Sequence, residues 1–126
     1  MPLENAGRDL IALALVGEAF TAYDNTHAYL GVGDSTDAFD AVDTDLQAAS
    51  NKLRVGMQPT YPQRTGNAIT LRSLFSTSQA NWAWQEWGVF NAASGPTMLN
   101  RKVESLGTKT SAQSWQLTIT LSVTAA

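Results

Sequence analysis

The clearest pattern in the chain lies near its C-terminus. Trp115, Leu117, Ile119, Leu121 and Val123 are apolar, and Gln116, Thr118, Thr120, Ser122 and Thr124 between them are polar. Such strict alternation predicts a strand with one buried and one wet face, in an antiparallel sheet lying over a single core. Lys52 to Gln58 alternates in the same way, with Leu53, Val55 and Met57 on one side and Lys52, Arg54 and Gln58 on the other. Ala68 to Ser76 predicts another strand, Ile69, Leu71 and Phe75 facing one way and Thr70 and Arg72 the other, with Leu74 breaking the alternation. His27 to Gly33 predicts a further strand that buries Ala28, Leu30 and Val32, entered through a turn at Asp24-Asn25.

Between these strands runs the stretch from Trp82 to Val103, which opens with Trp82, Trp84 and Trp87. Two apolar runs, Trp84 to Asn91 and Thr97 to Val103, flank Ala92-Ala93-Ser94-Gly95-Pro96, the pattern of a β-hairpin with a Gly-Pro corner. Pro59 to Asn67 breaks regular structure with two prolines and a Gly-Asn pair. Residues 5–17 have helical spacing instead: Leu10, Leu13 and Val16 recur on one side, with Asn5 as candidate cap, Asp9 in the first turn and Gly17 at the end. Ile11 and Leu15 widen that stripe, so the helix is expected to lie against a sheet or a neighbouring subunit. The expected fold is mainly β, an antiparallel β-sandwich or open barrel with one N-terminal helix. It is expected as a single domain over residues 1–126, with a helical segment at 1–20 and the β part at 27–124.

Composition narrows the chemistry. The chain has 126 residues and no cysteine, which removes thiolate nucleophiles, cysteine zinc sites and iron–sulfur clusters. A core can form at this length without disulfides. The longest apolar run, Leu10 to Val16, is too short to span a bilayer and lacks the basic leader of a signal peptide, so no membrane association is expected. The net charge of −3 is unevenly spread: residues 1–63 carry nine acids and three bases, and residues 64–126 carry five bases and two acids. No basic tract interleaved with aromatics points to nucleic acid. If the two halves face different sides, the molecule is polarised and suited to meeting a copy of itself or a charged lattice.

Few residues form a reaction centre. Gly31-Val32-Gly33-Asp34-Ser35 lacks the third glycine of a phosphate loop, and the aspartates behind it would repel an anion. Asp34, Asp37, Asp40, Asp43 and Asp45 are the strongest charge feature, but their spacing is not that of a calcium-binding loop. They are expected in a solvated loop, with Asp34, Asp37, Asp40 and Asp43 a candidate acidic docking patch for a basic partner. Thr44 and Gln47 resemble a capping box for a short helix over 45–50. His27 is the only histidine, and neither Asp24 in the turn before its strand nor Ser35 in the loop after it is placed to complete a triad. Glu86 and Glu104 would form a glycosidase pair only across a sugar cleft. Leu10, Leu13, Trp82, Trp84, Trp87, Phe90 and Trp115 are expected as packing and interface residues. No catalytic set, metal site or cofactor is expected.

Glu86-Trp87-Gly88-Val89-Phe90-Asn91, the turn at Gly95 and the return Thr97-Met98-Leu99-Asn100-Arg101-Lys102-Val103 resemble the hairpin of bacteriophage tail-fibre and tail-collar-type virion proteins. Lys109-Thr110-Ser111 leading into the C-terminal strand is similar to the closing strand of those domains, and the likeness covers about the last third of the chain. Ala28 to Ser35 and Tyr61-Pro62-Gln63-Arg64 resemble stretches of small phage structural proteins. A sequence running from Met1 to Ala126 leaves no room for a fibre shaft, and its size resembles capsid decoration (cement) proteins. The resemblance implies a non-enzymatic virion protein made in the host cytoplasm, a homotrimer on the major capsid protein that stabilises the shell. A tail-collar, adaptor or tail-fibre-like receptor- or carbohydrate-binding module is the second implication.

Overall fold

Leu117, Ile119 and Leu121 turn inward and the threonines between them outward, on the last strand of a sandwich of two antiparallel sheets. In chain order the elements are α1 (Asn5–Leu15), β1 (Tyr29–Gly33), β2 (Lys52–Gly56), β3 (Gln63–Thr65), β4 (Ala68–Phe75), β5 (Ala83–Phe90), β6 (Met98–Thr108) and β7 (Trp115–Ser122). The computed structural model describes residues 3–95 and 97–124. One sheet has the order β2-β1-β5-β6 and the other β3-β4-β7. The fold is thus mainly β, sandwich-like, with one N-terminal helix and no closed barrel. No described helix is long and apolar enough to cross a membrane.

The core lies between the sheets. Leu30, Val32, Trp87 and Val89 from the first sheet meet Leu71, Phe75, Leu117, Ile119 and Leu121 from the second. Trp84 fills one end, edge-on to Phe75 at 4.9 Å and to Trp115 at 5.0 Å, its indole N–H donated to the Ala80 carbonyl at 2.9 Å. Edge-to-face aromatic pairs of this kind stabilise beyond the area they bury. In β4 the alternation is unbroken, contrary to the sequence reading. Ser73 takes the inward position, donating its hydroxyl to the Val55 carbonyl of the facing sheet at 3.0 Å, and Leu74 is turned outward.

The hairpin forms with longer arms than its apolar runs indicate. β6 continues to Thr108, and the pairing shifts register between Trp84 and Glu86 and again between Val89 and Phe90. Gly95 has a positive φ of 99° in the connection, and Pro96, the other half of the expected corner, lies outside the described residues. α1 ends at Leu15. Its cap position is Glu4, without a side-chain capping bond, and Asn5 is the first helical residue, its Oδ1 accepting from Arg8 at 2.9 Å. This moves Asp9 out of the first turn. The helix meets the β6 edge at Gly7, where an added Cβ would stand 2.3 Å from the Leu99 carbonyl oxygen.

Candidate functional site

The outer face of the first sheet determines the chemistry. Gly31, Gly33 and Gly88 pave it with backbone, which leaves room for a carboxylate to lie flat. A Cβ on Gly33 would come within 2.3 Å of Glu86 Oε2. The Gly-x-Gly of β1 therefore serves close packing and not phosphate binding.

Glu86 and, from β6, Arg101 stand on this floor, both 0% exposed, with Arg101 Nε donating to Glu86 Oε1 at 2.7 Å. Segment 34–51 closes over them. The Gln47 and Ala48 amides donate to the two Glu86 oxygens at 2.8 and 2.9 Å, so no helix forms over 45–50 and the expected capping box is absent. Arg101 Nη2 donates to the Asp37 carbonyl at 3.0 Å, and its Nη1 lies 3.8 Å from Asp43 Oδ2. A buried pair this fully bonded is held in one geometry.

The aspartates divide between fastening and surface. Asp45 bridges Lys52 at 3.0 Å and Arg54 at 3.2 Å. Burial pushes its carboxyl up, but the bonds from Lys52, the Leu46 amide and Arg54 outweigh it and hold the pKa below the ordinary value. Arg54 also lies 3.6 Å over the Phe90 ring, which packs with Leu46 and Met98. Within the candidate docking patch, Asp34, Asp37 and Asp40 are exposed, Asp34 accepting from Asn51 at 2.9 Å, whereas the Asp43 side chain is 15% exposed. Arg64 and Arg72 lie on strands of the opposite sheet, Arg72 bonding Thr118 on that sheet's outer side. These two arginines lie on the sheet opposite the exposed aspartates, while Lys52 and Arg54 stand on the aspartates' own side.

Two residues that the sequence did not single out sit at the N-terminal edge of this arrangement. Glu4 is 0% exposed, and among the described residues neither of its carboxylate oxygens has a hydrogen-bond partner. Burial, then Asp43, push its pKa up to about 7, with Asp40 adding to the rise and Arg101 and Arg8 opposing it. The buried Asn100 side chain likewise has no partner at either polar atom. A hydropathy pattern carries no signal for either, because one polar residue between apolar ones is also what a strand edge or a cap looks like.

The remaining candidates separate. Glu104 accepts the Trp87 indole N–H at 2.8 Å and pairs with Lys102, while neighbouring Glu86 faces the other side of the sheet. The two glutamates flank no common cleft. Trp84 and Trp87 are buried, and Trp82 and Trp115 are partly buried against the same core, so Trp84 and Trp87 offer no open face for a sugar ring. Phe90 is buried as well. His27 Nδ1 lies 2.7 Å from Asp24 Oδ1 in an exposed turn, and the only described bond of Ser35 goes to the Asp37 amide. Among the described residues no group of three His, Asp or Glu is arranged to hold a metal ion.

α1 is covered on one side only. Gly7 is its only buried residue, and Leu10 and Leu13 are half-buried. Leu10 and Ile11 line an apolar cavity of about 280 Å³ with Tyr23, Leu71, Val89 and Leu121. Beyond it Leu15 is 83% and Val16 73% exposed, with Phe20 exposed next in the chain. No family model, no curated protein and no solved structure matches the chain.

Proposed function

We propose that this protein is a non-enzymatic structural component of a bacteriophage particle, working as a homotrimer that decorates the capsid and clamps neighbouring shell subunits. The observation that carries this reading is the exposure of Leu15 and Val16 at the end of a helix whose own fold covers one side only. Large aliphatic side chains left in water at adjacent positions are what a subunit contact removes from solvent. The exposed Asp34, Asp37 and Asp40 supply orientation on a charged lattice. The buried charges support the same reading, since Glu86 and Arg101 are fastened to backbone and to each other and not aimed at a substrate. Many equivalent weak contacts on a symmetric shell give avidity without a catalytic site.

The test is mass in solution and location on particles. A trimer by light scattering, and rebinding in hundreds of copies to capsids stripped of the protein, is the expected result. A monomer that ignores such capsids overturns the proposal.

The tail-collar, adaptor or carbohydrate-binding reading is supported by a different observation. A cleft of about 400 Å³ is lined by Tyr23, Asp24, Thr60, Tyr61, Gln63 and Arg64. Aromatic and polar side chains mixed in this way suit a polyhydroxylated ligand. A dozen copies or fewer per particle, together with glycan binding at this cleft, would select it over the shell.

A further inference from the structure

The N-terminal segment reaches the sandwich through a short set of polar contacts. Leu3 forms an antiparallel bridge with Asn100, the Glu4 amide donates to the Leu99 carbonyl at 3.0 Å, and the Asn5 amide donates to the Ala41 carbonyl at 2.7 Å. The segment is thereby wedged between the β6 edge and the acidic segment 34–51, and the Glu4 side chain goes into the wedge.

The charges there do not balance. Asp43 and Asp40 face Glu4 from the acidic segment, Arg101 from β6 and Arg8 from α1. Arg101 is committed elsewhere: its Nε to Glu86, its Nη2 to the Asp37 carbonyl, and its Nη1 toward the Ala38 carbonyl at 3.5 Å and Asp43 Oδ2 at 3.8 Å. Arg8 is exposed and bonded to Asn5. Among the described residues neither buried Glu4 oxygen has a donor. A carboxylate buried without a donor cannot stay ionised at low cost, and a proton neutralises it.

We propose that the Glu4 carboxyl holds a proton when docked, and that this proton latches the N-terminal segment, Leu3 through α1, onto the edge of β6. With the proton present, the buried carboxyl is neutral. Without it, an unpaired negative charge stands out of water, and release of the segment restores its hydration. The raised pKa of Glu4 sets the direction. A segment that binds the proton when docked and gives it up when undocked is held most firmly in mild acid. Its docking weakens as pH rises from the ordinary value of 4.5 through about 7 and is level beyond. Over that range the undocking equilibrium shifts on the order of a hundredfold.

Amide hydrogen exchange reads the latch directly. After correction for the intrinsic pH dependence, protection of the Glu4 and Asn5 amides should fall on the order of a hundredfold between pH 5 and 7.5, while core amides of β1 and β5 stay protected. The Glu4→Gln variant keeps the shape and removes the titration, so its protection should be flat over the same range. His27, the only histidine, lies in the Asp24 turn, and His27→Gln should leave the fall intact. Flat protection in the unaltered protein, or an equal fall in Glu4→Gln, overturns the proposal. Should Glu4→Gln fail to dock at any pH, carbon NMR titration of the Glu4 carboxyl in the unaltered protein decides. A midpoint near 7 supports the latch, and one near 4.5 removes it.

Discussion

Glu86 Oε1 lies 2.7 Å from Nε of Arg101, with neither side chain reaching solvent. The pair joins β5 to β6 and, through the Gln47 and Ala48 amides, joins both strands to segment 34–51. Removing one partner leaves a buried charge and costs about 3–5 kcal/mol. Glu86→Leu and Arg101→Met are each expected to lower stability by that much in chemical denaturation. The double variant should cost less than the sum of the two by 2 kcal/mol or more, the order of coupling seen for residues in one network. It should not return to the original stability, because the two backbone amides that Glu86 accepts remain without an acceptor.

Gly33→Ala tests the glycine floor. The new methyl would stand 2.3 Å from Glu86 Oε2, and that carboxylate is held by three donors and cannot swing aside. A loss of about 2–4 kcal/mol is expected, as for overpacking that also disturbs a buried polar network. Gly66→Ala, with open space around its Cβ, should cost only the strain of its positive φ of 58°, about 1–2 kcal/mol. Comparing the two separates crowding from backbone conformation.

Stability should be greatest in mild acid. Asp45 has a depressed pKa, so its contribution is complete above about 3.8 and is lost as pH falls below that. Glu4 has a raised pKa, so its contribution is complete below about 4.5 and is lost as pH rises toward 7. Melting temperature against pH should therefore rise to a maximum between pH 4 and 5 and fall on both sides. Asp45→Asn is expected to flatten the acid limb and Glu4→Gln the other. A maximum at pH 7 or above would contradict the Glu4 assignment, and a profile flat below pH 4 the Asp45 one.

Leu15→Glu should leave the isolated fold within about 0.5 kcal/mol of its starting stability, since surface substitutions seldom exceed that. The same change should abolish self-association if α1 forms the subunit contact, which sedimentation velocity would read as loss of the trimer.

The alternation announced β7 over residues 115–122, because one face of that strand is core and the other water, whereas Val123, expected inward, lies beyond the strand's end and is 65% exposed. β4 was harder to read. Ser73 turns in and Leu74 out because the serine hydroxyl finds the Val55 carbonyl, and hydropathy records the polarity of a residue but not its partner. The segment 45–50 was misread for a related reason. Its free amides bond Glu86, 39 residues from Gln47, and local capping patterns do not see that far. Glu86 itself carries a legible signal, an acid placed between tryptophans with glycines on the paired strand, although the sequence does not say that its partner is Arg101. Glu4 carries none, since its burial depends on two chain segments meeting over it.

The segment 34–51 also has a history during synthesis. Its amides and carbonyls bond Glu86 and Arg101, which are 38 to 64 residues downstream. At about 5–20 residues per second, the segment leaves the ribosome roughly 2–13 s before the groups that will hold it exist. During that interval its Gln47 and Ala48 amides have no Glu86 to bond. Its aspartates keep the waiting segment hydrated and repel like segments on neighbouring nascent chains, so the charges that later fasten it to the sheet first protect it from premature association.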